Sequence, residues 1–160
     1  MIATEGVISA RVDERSFLIT PTGQDRQYID AGDLVLIRNG MREWGKNPSR
    51  STRMHMAIYA KHPGINAIIT AQPPNATAYA VTACHFDSRS IPESYVMLRD
   101  VPLIPYGTHF TDPQSVATVV SPRRPVALIQ NDCVLTLGSS VLQAFDRLEV
   151  LEFSARSLID

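Results

Sequence analysis

Cysteine is scarce. Of 160 residues only Cys84 and Cys133 carry a thiol, and they form no C-x-x-C pattern. Neither a disulfide framework nor a thiolate metal site is indicated, and a reducing, cytoplasmic setting is expected. An excess of one charge is lacking too. Fifteen Lys and Arg against 16 Asp and Glu leave a net charge of −1 with no basic block, which argues against nucleic acid or a membrane surface as the main partner. No segment is long and apolar enough to span a bilayer, and no basic region followed by an apolar one opens the chain. G-x-G-x-x-G, G-x-x-x-x-G-K-[ST] and internal repeats are all missing, so nucleotide binding has little support. What is present is 44% hydrophobic residues, enough to bury the core of one domain spanning residues 1–160.

The first third alternates short β-type runs with turns. Val7 to Val12 and Ser16 to Thr20 read as strands, with a turn at Pro21-Thr22-Gly23. Leu34 to Arg38 and Met41 to Trp44 form a hairpin about Asn39-Gly40, a dipeptide suited to the type I′ turn that matches strand twist. Ser49 or Ser51 can cap a helix running to about Lys61, with Met54, Ala57 and Ile58 inside. Ala67 to Thr70 reads as a buried strand and Pro74 to Cys84 as a helix. His85 to Pro92 reads as a polar connection, and Tyr95 to Leu98 and Val101 to Ile104 as short strands or loop. Asp112 or Thr111 caps a short helix to Val120; Val126 to Ile129 and Cys133 to Leu137 are strands. In the final helix Leu142, Phe145, Leu148, Leu151, Ala155 and Leu158 recur at three- and four-residue steps, opposite Asp146, Arg147, Glu149, Glu152 and Arg156. Hairpins with flanking helices predict an antiparallel-rich sheet covered by helices.

The stretch from Ala67 through Thr70, Gln72 and Pro73-Pro74 to Ala80 organises the chain. On an extended segment residues i and i+2 share a face, so Thr70 and Gln72 project side by side beyond the strand. With its flanks, this stretch resembles the class II aldolase/adducin family of zinc-dependent sugar-phosphate aldolases and epimerases and the non-catalytic adducin head. The similarity runs through Gly6-Val7-Ile8-Ser9-Ala10-Arg11, Phe17 to Gly23, Pro48-Ser49-Arg50-Ser51 with His55 and Ile58-Tyr59, Pro105-Tyr106-Gly107-Thr108, and Asn131-Asp132 before Gly138. It implies an α/β fold, three-layer α/β/α with a central, mainly antiparallel sheet, and a homo-oligomer, a cyclic tetramer in the first place. Trp44, Phe110 and the last helix are candidates for the contact. Family members carry one or two helices before the segment matching Gly6, where five residues precede it here. A truncated paralogue or a piece of something longer is therefore in view, with Met1 favouring a genuine start and a partner chain or paralogue as one way to cover the sheet.

Departures from the pattern carry the functional expectation. The family has His-x-His where Thr70 and Gln72 stand, and a third His where Asp132 stands. Imidazoles suit Zn²⁺, whereas a hydroxyl and an amide oxygen are poor substitutes. The acid/base glutamate is replaced by Ser51, whose hydroxyl without a base cannot take a proton from carbon near neutral pH. Tyr95 follows Ser90-Ile91-Pro92 much as the family's acid tyrosine follows Ile-Pro, one residue out of step. Packing is its expected role, as a hydrogen bond within the fold is for His55. His85 and Asp87 could bind a metal only if His109 came near, and Asp132 also suits a turn cap.

The expected function is a domain that has lost its zinc ligands and acid/base glutamate, a non-catalytic structural or regulatory subunit. The alternatives are a lyase- or epimerase-type sugar-phosphate enzyme with zinc-independent chemistry, and a sugar-phosphate-binding sensor. No cofactor is expected, zinc included. The remaining anion site, by the same resemblance, comprises Gly6, Thr22, Gly23, Ser49 and Arg50, holding a phosphate-type anion weakly through backbone amides, hydroxyls and the positive end of the following helix.

Overall fold

The computed structural model describes residues 5–159; the start at Met1 lies outside them. One eight-stranded sheet has the order β4-β3-β2-β1-β5-β8-β7-β6. Its first half is a local meander: β1 (Val7–Asp13), β2 (Ser16–Ile19), β3 (Val35–Arg38) and β4 (Met41–Arg42), each antiparallel to the next. Asn39 and Gly40 both take positive φ (51° and 77°), as a type I′ turn requires. β1 then pairs with β5 (Ala67–Ala71), placing Val7 opposite Thr70. β5 continues to β8 (Cys133–Gly138) and β8 to β7 (Val126–Ile129), again antiparallel. Only the short edge strand β6 (Leu103–Ile104), against β7, is parallel. The predicted antiparallel-rich α/β sheet with helical cover is therefore the observed architecture.

Two apolar layers hold the helices on. On one face α1 (Thr52–Lys61) and α5 (Pro113–Val119) pack over Ile19, Ile37, Ile68, Leu135 and Leu137. Met54, Ala57 and Ile58 of α1 are buried at helical spacing, which is the inner face the sequence indicates. On the other face lie α2 (Pro74–Val81), α3 (Pro92–Leu98) and α6 (Val141–Ile159). All five residues of β5 are buried: Ile68 faces the first layer, and Ala67, Ile69 and Ala71 the second. Gly138 closes β8 where α6 begins, and a Cβ there would meet the Ala144 nitrogen at 2.5 Å.

Three local expectations are corrected. Tyr95 to Leu98 is helical, part of α3, because Pro92 at the first turn and Glu93 beside it start a helix. The short helix before α5, α4 (Thr108–Thr111), follows Gly107 in the left-handed region and has no counterpart in the sequence reading. The apolar stripe of α6 is covered only in its middle, and Leu158 at its end is 38% exposed. Leu151 and Ala155 are fully buried, while Leu142 is 69% and Phe145 45% exposed. Two members of its supposed polar face instead point inward. Arg147 donates to the Leu137 carbonyl at 2.6 Å, and the Glu152 carboxylate accepts from the Asn75 and Ala76 amides and the Asn75 side chain at 2.7–3.1 Å, capping α2.

Candidate functional site

β5, the β7–β8 turn and the loops after β2 and before α1 converge at one end of the sheet. β5 delivers Thr70 and, one residue beyond its end, Gln72. The β7–β8 turn delivers Asp132, its backbone turned by Asn131 at φ 55°, a conformation that asparagine tolerates better than most residues. The Asn131 amide donates to the Ala80 carbonyl at 3.0 Å, fixing the turn to the end of α2. A cavity of about 270 Å³ opens between these segments.

One wall is made of loops zipped together. Thr22 N–H donates to the Asn47 carbonyl at 3.0 Å and Ser49 N–H to the Thr20 carbonyl at 3.2 Å, bringing Thr22-Gly23 beside Ser49-Arg50. Arg26 clamps the same wall, its Nε donating to Gly6 at 2.8 Å and its Nη1 to the Pro21 and Gln24 carbonyls at 2.9 and 2.8 Å. Burial pulls the Arg26 pKa below the ordinary arginine value. The pairing uses the Thr22 and Ser49 amides and leaves those of Gly23 and Arg50. Ser51 stands at the cap position of α1 without a side-chain capping bond, its own amide donating to Ser49 Oγ at 3.2 Å. α1 therefore presents its N-terminal end, where the helix dipole favours an anion, to this wall.

The opposite wall carries acceptors and one imidazole. Gln72 Oε1 is buried without a partner, an arrangement that leaves a full desolvation cost unmet. His109, from α4, is 2% exposed and its Nε2 lies 2.8 Å from Asp132 Oδ2. Its Nδ1 is buried without a partner. Assigning the proton to Nε2 leaves a bare lone pair at Nδ1, whereas a proton there would bury an unsatisfied donor. Nε2–H therefore donates to the carboxylate. That bond, with a more distant contribution from Arg50, holds Asp132 below the ordinary carboxylate pKa against the opposing effect of burial. Burial, and the adjacent Asp132, push the Cys133 thiol upward. The Arg50 guanidinium lies 5.6 Å from the Phe110 ring, and that ring lies 3.9 Å from His109.

Gly6, Thr22, Gly23, Ser49, Arg50 and Ser51, and likewise Thr70, Gln72 and Asp132, all line this cavity. Tyr95 does not. It lies on α3 in a separate groove with Arg99 and Arg147, its ring 5.5 Å from the Arg99 guanidinium carbon. His85 and Asp87 line a different cavity from His109, so the three do not come together. His55 is wholly buried, its Nδ1 2.7 Å from Ser9 Oγ, which is also 2.7 Å from the Tyr59 hydroxyl. Glu5, Arg26, Phe110 and Cys133 also line the cavity and escaped the sequence reading as site residues, as did the role of His109. Gly107-Thr108, the end of a recognised segment, stops one residue short of His109.

A polar cavity at the end of a mainly antiparallel sheet, walled by these segments, defines a class II aldolase-type domain. The chain belongs to the Class II Aldolase and Adducin N-terminal domain family, which matches residues 1–159. It is 34% identical over 114 residues to the L-fuculose phosphate aldolase of Escherichia coli (strain K12), covering 68% of this chain but only half of that protein. It is 28% identical over 168 residues to the methylthioribulose-1-phosphate dehydratase of Yersinia enterocolitica, covering 94% of this chain and 79% of that one. Among solved structures it superposes on YgbL from Klebsiella pneumoniae with a TM-score of 0.83 at 27% identity, covering 98% of this chain and 79% of that chain. It also superposes on an L-fuculose 1-phosphate aldolase with a TM-score of 0.78 at 26% identity, over 99% and 76%. Within the described residues, no helix is long and apolar enough to cross a membrane.

Proposed function

We propose that the chain binds a sugar phosphate or related phosphate ester in this cavity without a catalytic zinc ion. The observation that carries this reading is the division of the cavity into two walls. Donor groups gather on one, beside the single carboxylate of Glu5: the Gly23 and Arg50 amides, the Thr22 hydroxyl, the Arg50 guanidinium and the N-terminal end of α1. Together they suit a phosphate. Gln72 and Asp132 line the other, and the Asp132 carboxylate suits the hydroxyls of the same ligand. The printed names of the E. coli and Yersinia relatives, which both specify a phosphorylated sugar derivative, agree with it.

Zinc fits the donors poorly. The ion is held by imidazole, thiolate and carboxylate, whereas Thr70 offers a hydroxyl, Gln72 an amide oxygen, and Asp132 a carboxylate already accepting from His109. Among the described residues, no three His, Cys, Asp or Glu side chains gather as a metal-holding group. A titration with inorganic phosphate and with dihydroxyacetone phosphate, followed by amide NMR, is expected to move Thr22, Gly23, Ser49 and Arg50 at millimolar ligand. Unmoved resonances would overturn the reading, and one tightly held zinc per chain would overturn its metal-free part.

A structural or regulatory subunit without turnover is the second reading, favoured by Ser51 at the position of the family's acid/base glutamate. Assembly with further copies of the chain belongs to both readings. The broad exposure of Trp44 at 96% and of Leu142 and Phe153 at 69% and 65% supports it. Light scattering is expected to give an oligomer, and a monomer at micromolar concentration would exclude it.

A further inference from the structure

We infer that the arginine-lined groove beside Tyr95 is a second anion site, built for a small polyvalent phosphate of the diphosphate class. It shares no lining residue with the cavity described above. β7 begins at this groove, where Pro125 precedes Val126, and ends at the turn that delivers Asp132 to the cavity, so the two sites lie at opposite ends of the same strand. The groove, of about 520 Å³, is lined by Arg99, Arg123, Arg124 and Arg147 against one carboxylate, Asp100. That carboxylate already lies 3.3 Å from the Arg89 guanidinium. Among the described residues, none of the four lining arginines makes an ion pair with a carboxylate. They come from three separate segments of a chain whose net charge is −1, so no basic block marks them in the sequence. Four like charges on one concave surface repel one another and focus a positive potential, which a multiply charged anion relieves.

Each segment is fixed before any ligand arrives, which lowers the cost of binding. Arg99 takes φ 57° and ψ −151° at the end of α3, a region that glycine enters freely and other residues only under strain. Its amide donates to the Tyr95 carbonyl at 3.0 Å, and its carbonyl accepts from Ser88 Oγ at 2.6 Å. Glycine would meet the same bonds without strain; what arginine adds there is a guanidinium on the groove. Arg123 and Arg124 sit in a turn closed by reciprocal backbone bonds between Ser121 and Arg124 at 3.0 Å, and Ser121 Oγ also accepts from the Arg124 amide at 3.1 Å. Arg147 is half-buried, and its Nη1 donates to the Leu137 carbonyl at 2.6 Å. Burial pulls its pKa below the ordinary arginine value, a penalty on the charged form that a bound anion would offset. A guanidinium offers paired N–H donors to two oxygens of one phosphate, so four of them on three segments match linked phosphates better than a single one. The Tyr95 ring already has the Arg89 and Arg99 guanidiniums over it at 5.6 and 5.5 Å. Recognition therefore falls on the phosphates and not on a stacked base.

The test is a titration of the full chain with inorganic diphosphate and with sulfate at constant ionic strength, followed by amide NMR and calorimetry. Diphosphate is expected to move the Arg99, Arg123 and Arg124 amides and to bind at least about tenfold more tightly than sulfate. Arg99→Gly is expected to be at least as stable as wild type in thermal unfolding, because it relieves the strained φ, and yet to weaken diphosphate about tenfold. Arg123→Ala combined with Arg124→Ala, both on an exposed turn, is expected to weaken it about a hundredfold with thermal unfolding unchanged. Unmoved resonances at Arg99, Arg123 and Arg124 at millimolar diphosphate would overturn the inference whatever Gly23 does, since the cavity reading stands or falls on Gly23 and its neighbours. Equal affinity for sulfate and diphosphate, or diphosphate binding undiminished in either variant, would overturn it as well. A single-stranded oligouridylate bound more tightly than diphosphate, and lost in the same variants, would overturn the small-ligand assignment in favour of a nucleic-acid strand.

Discussion

His55 and His109 are 0% and 2% exposed, and each engages one ring nitrogen while the other has no partner. Their surroundings differ. His55 sits between α1 and the sheet, bonded to the Ser9 hydroxyl, with the Tyr59 hydroxyl completing the group. The nearby Arg11 guanidinium lies 4.7 Å from the Tyr59 ring and is fastened to the Tyr59, Ile65 and His62 carbonyls. Desolvation alone lowers the His55 pKa from 6.5 to about 3. His109 has a carboxylate partner at the wall of a cavity. Burial by itself does not separate a histidine enclosed in the core from one at a cavity wall; the charge of the partner and the space beside it do.

The largest effect that tests this contrast is acid sensitivity. Between pH 6.5 and about 3 the unfolded chain takes up a proton that folded His55 refuses. Stability therefore falls as pH drops through that window, by about 1.4 kcal/mol per pH unit, and is unaffected above it. Urea unfolding of wild type and His55→Gln at pH 7, 6 and 5 is expected to show that slope in the first and its loss in the second. Asp132, with its lowered pKa, adds stability that disappears only as pH falls below the ordinary carboxylate value of 3.8, outside this series.

Next in size is Arg50→Ala, which is expected to weaken phosphate binding about tenfold while moving stability by less than about 0.5 kcal/mol, as read by calorimetric titration and denaturant unfolding. Tyr59→Phe is its mirror image. It removes a hydroxyl from the His55 group and should cost about 1 kcal/mol of stability with phosphate affinity unchanged. If Tyr59→Phe lowered affinity, the two regions would be coupled and the contrast broken. The smallest effect is Glu152→Gln, about 0.5–1 kcal/mol from the loss of charge at the α2 N-terminus, measured by thermal unfolding.

Most of the sheet was legible because its signals are local. Asn39-Gly40 dictates its own turn, and the apolar runs around Ile68, Ala127 and Leu135 are bounded by Gly, Pro or Asn. Thr70 and Gln72 were legible as neighbours because alternate residues at a strand end share a face, whereas Asp132 joined them only through the family resemblance. His109 was not, because a four-residue helix after a left-handed glycine leaves no period to read. Arg26 looked like an ordinary loop charge, since its three carbonyl partners lie in turns whose closure only the fold reveals. On α6 periodicity found the stripe but not its cover. Arg147 and Glu152 were assigned to solvent by their charge, yet each meets a backbone group that nothing else satisfies.

The Glu152 contact ties events in time as well as in space. The α2 amides at Asn75 and Ala76 have their acceptor 77 and 76 positions further along the chain, respectively. During folding that first turn stays without its acceptor until α6 has docked. The first turn of α2 and the middle of α6 are therefore expected to exchange their amide hydrogens as one cooperative unit. α2 begins just beyond Gln72. Loosening of the last helix is therefore expected to be felt at the cavity wall beside Gln72.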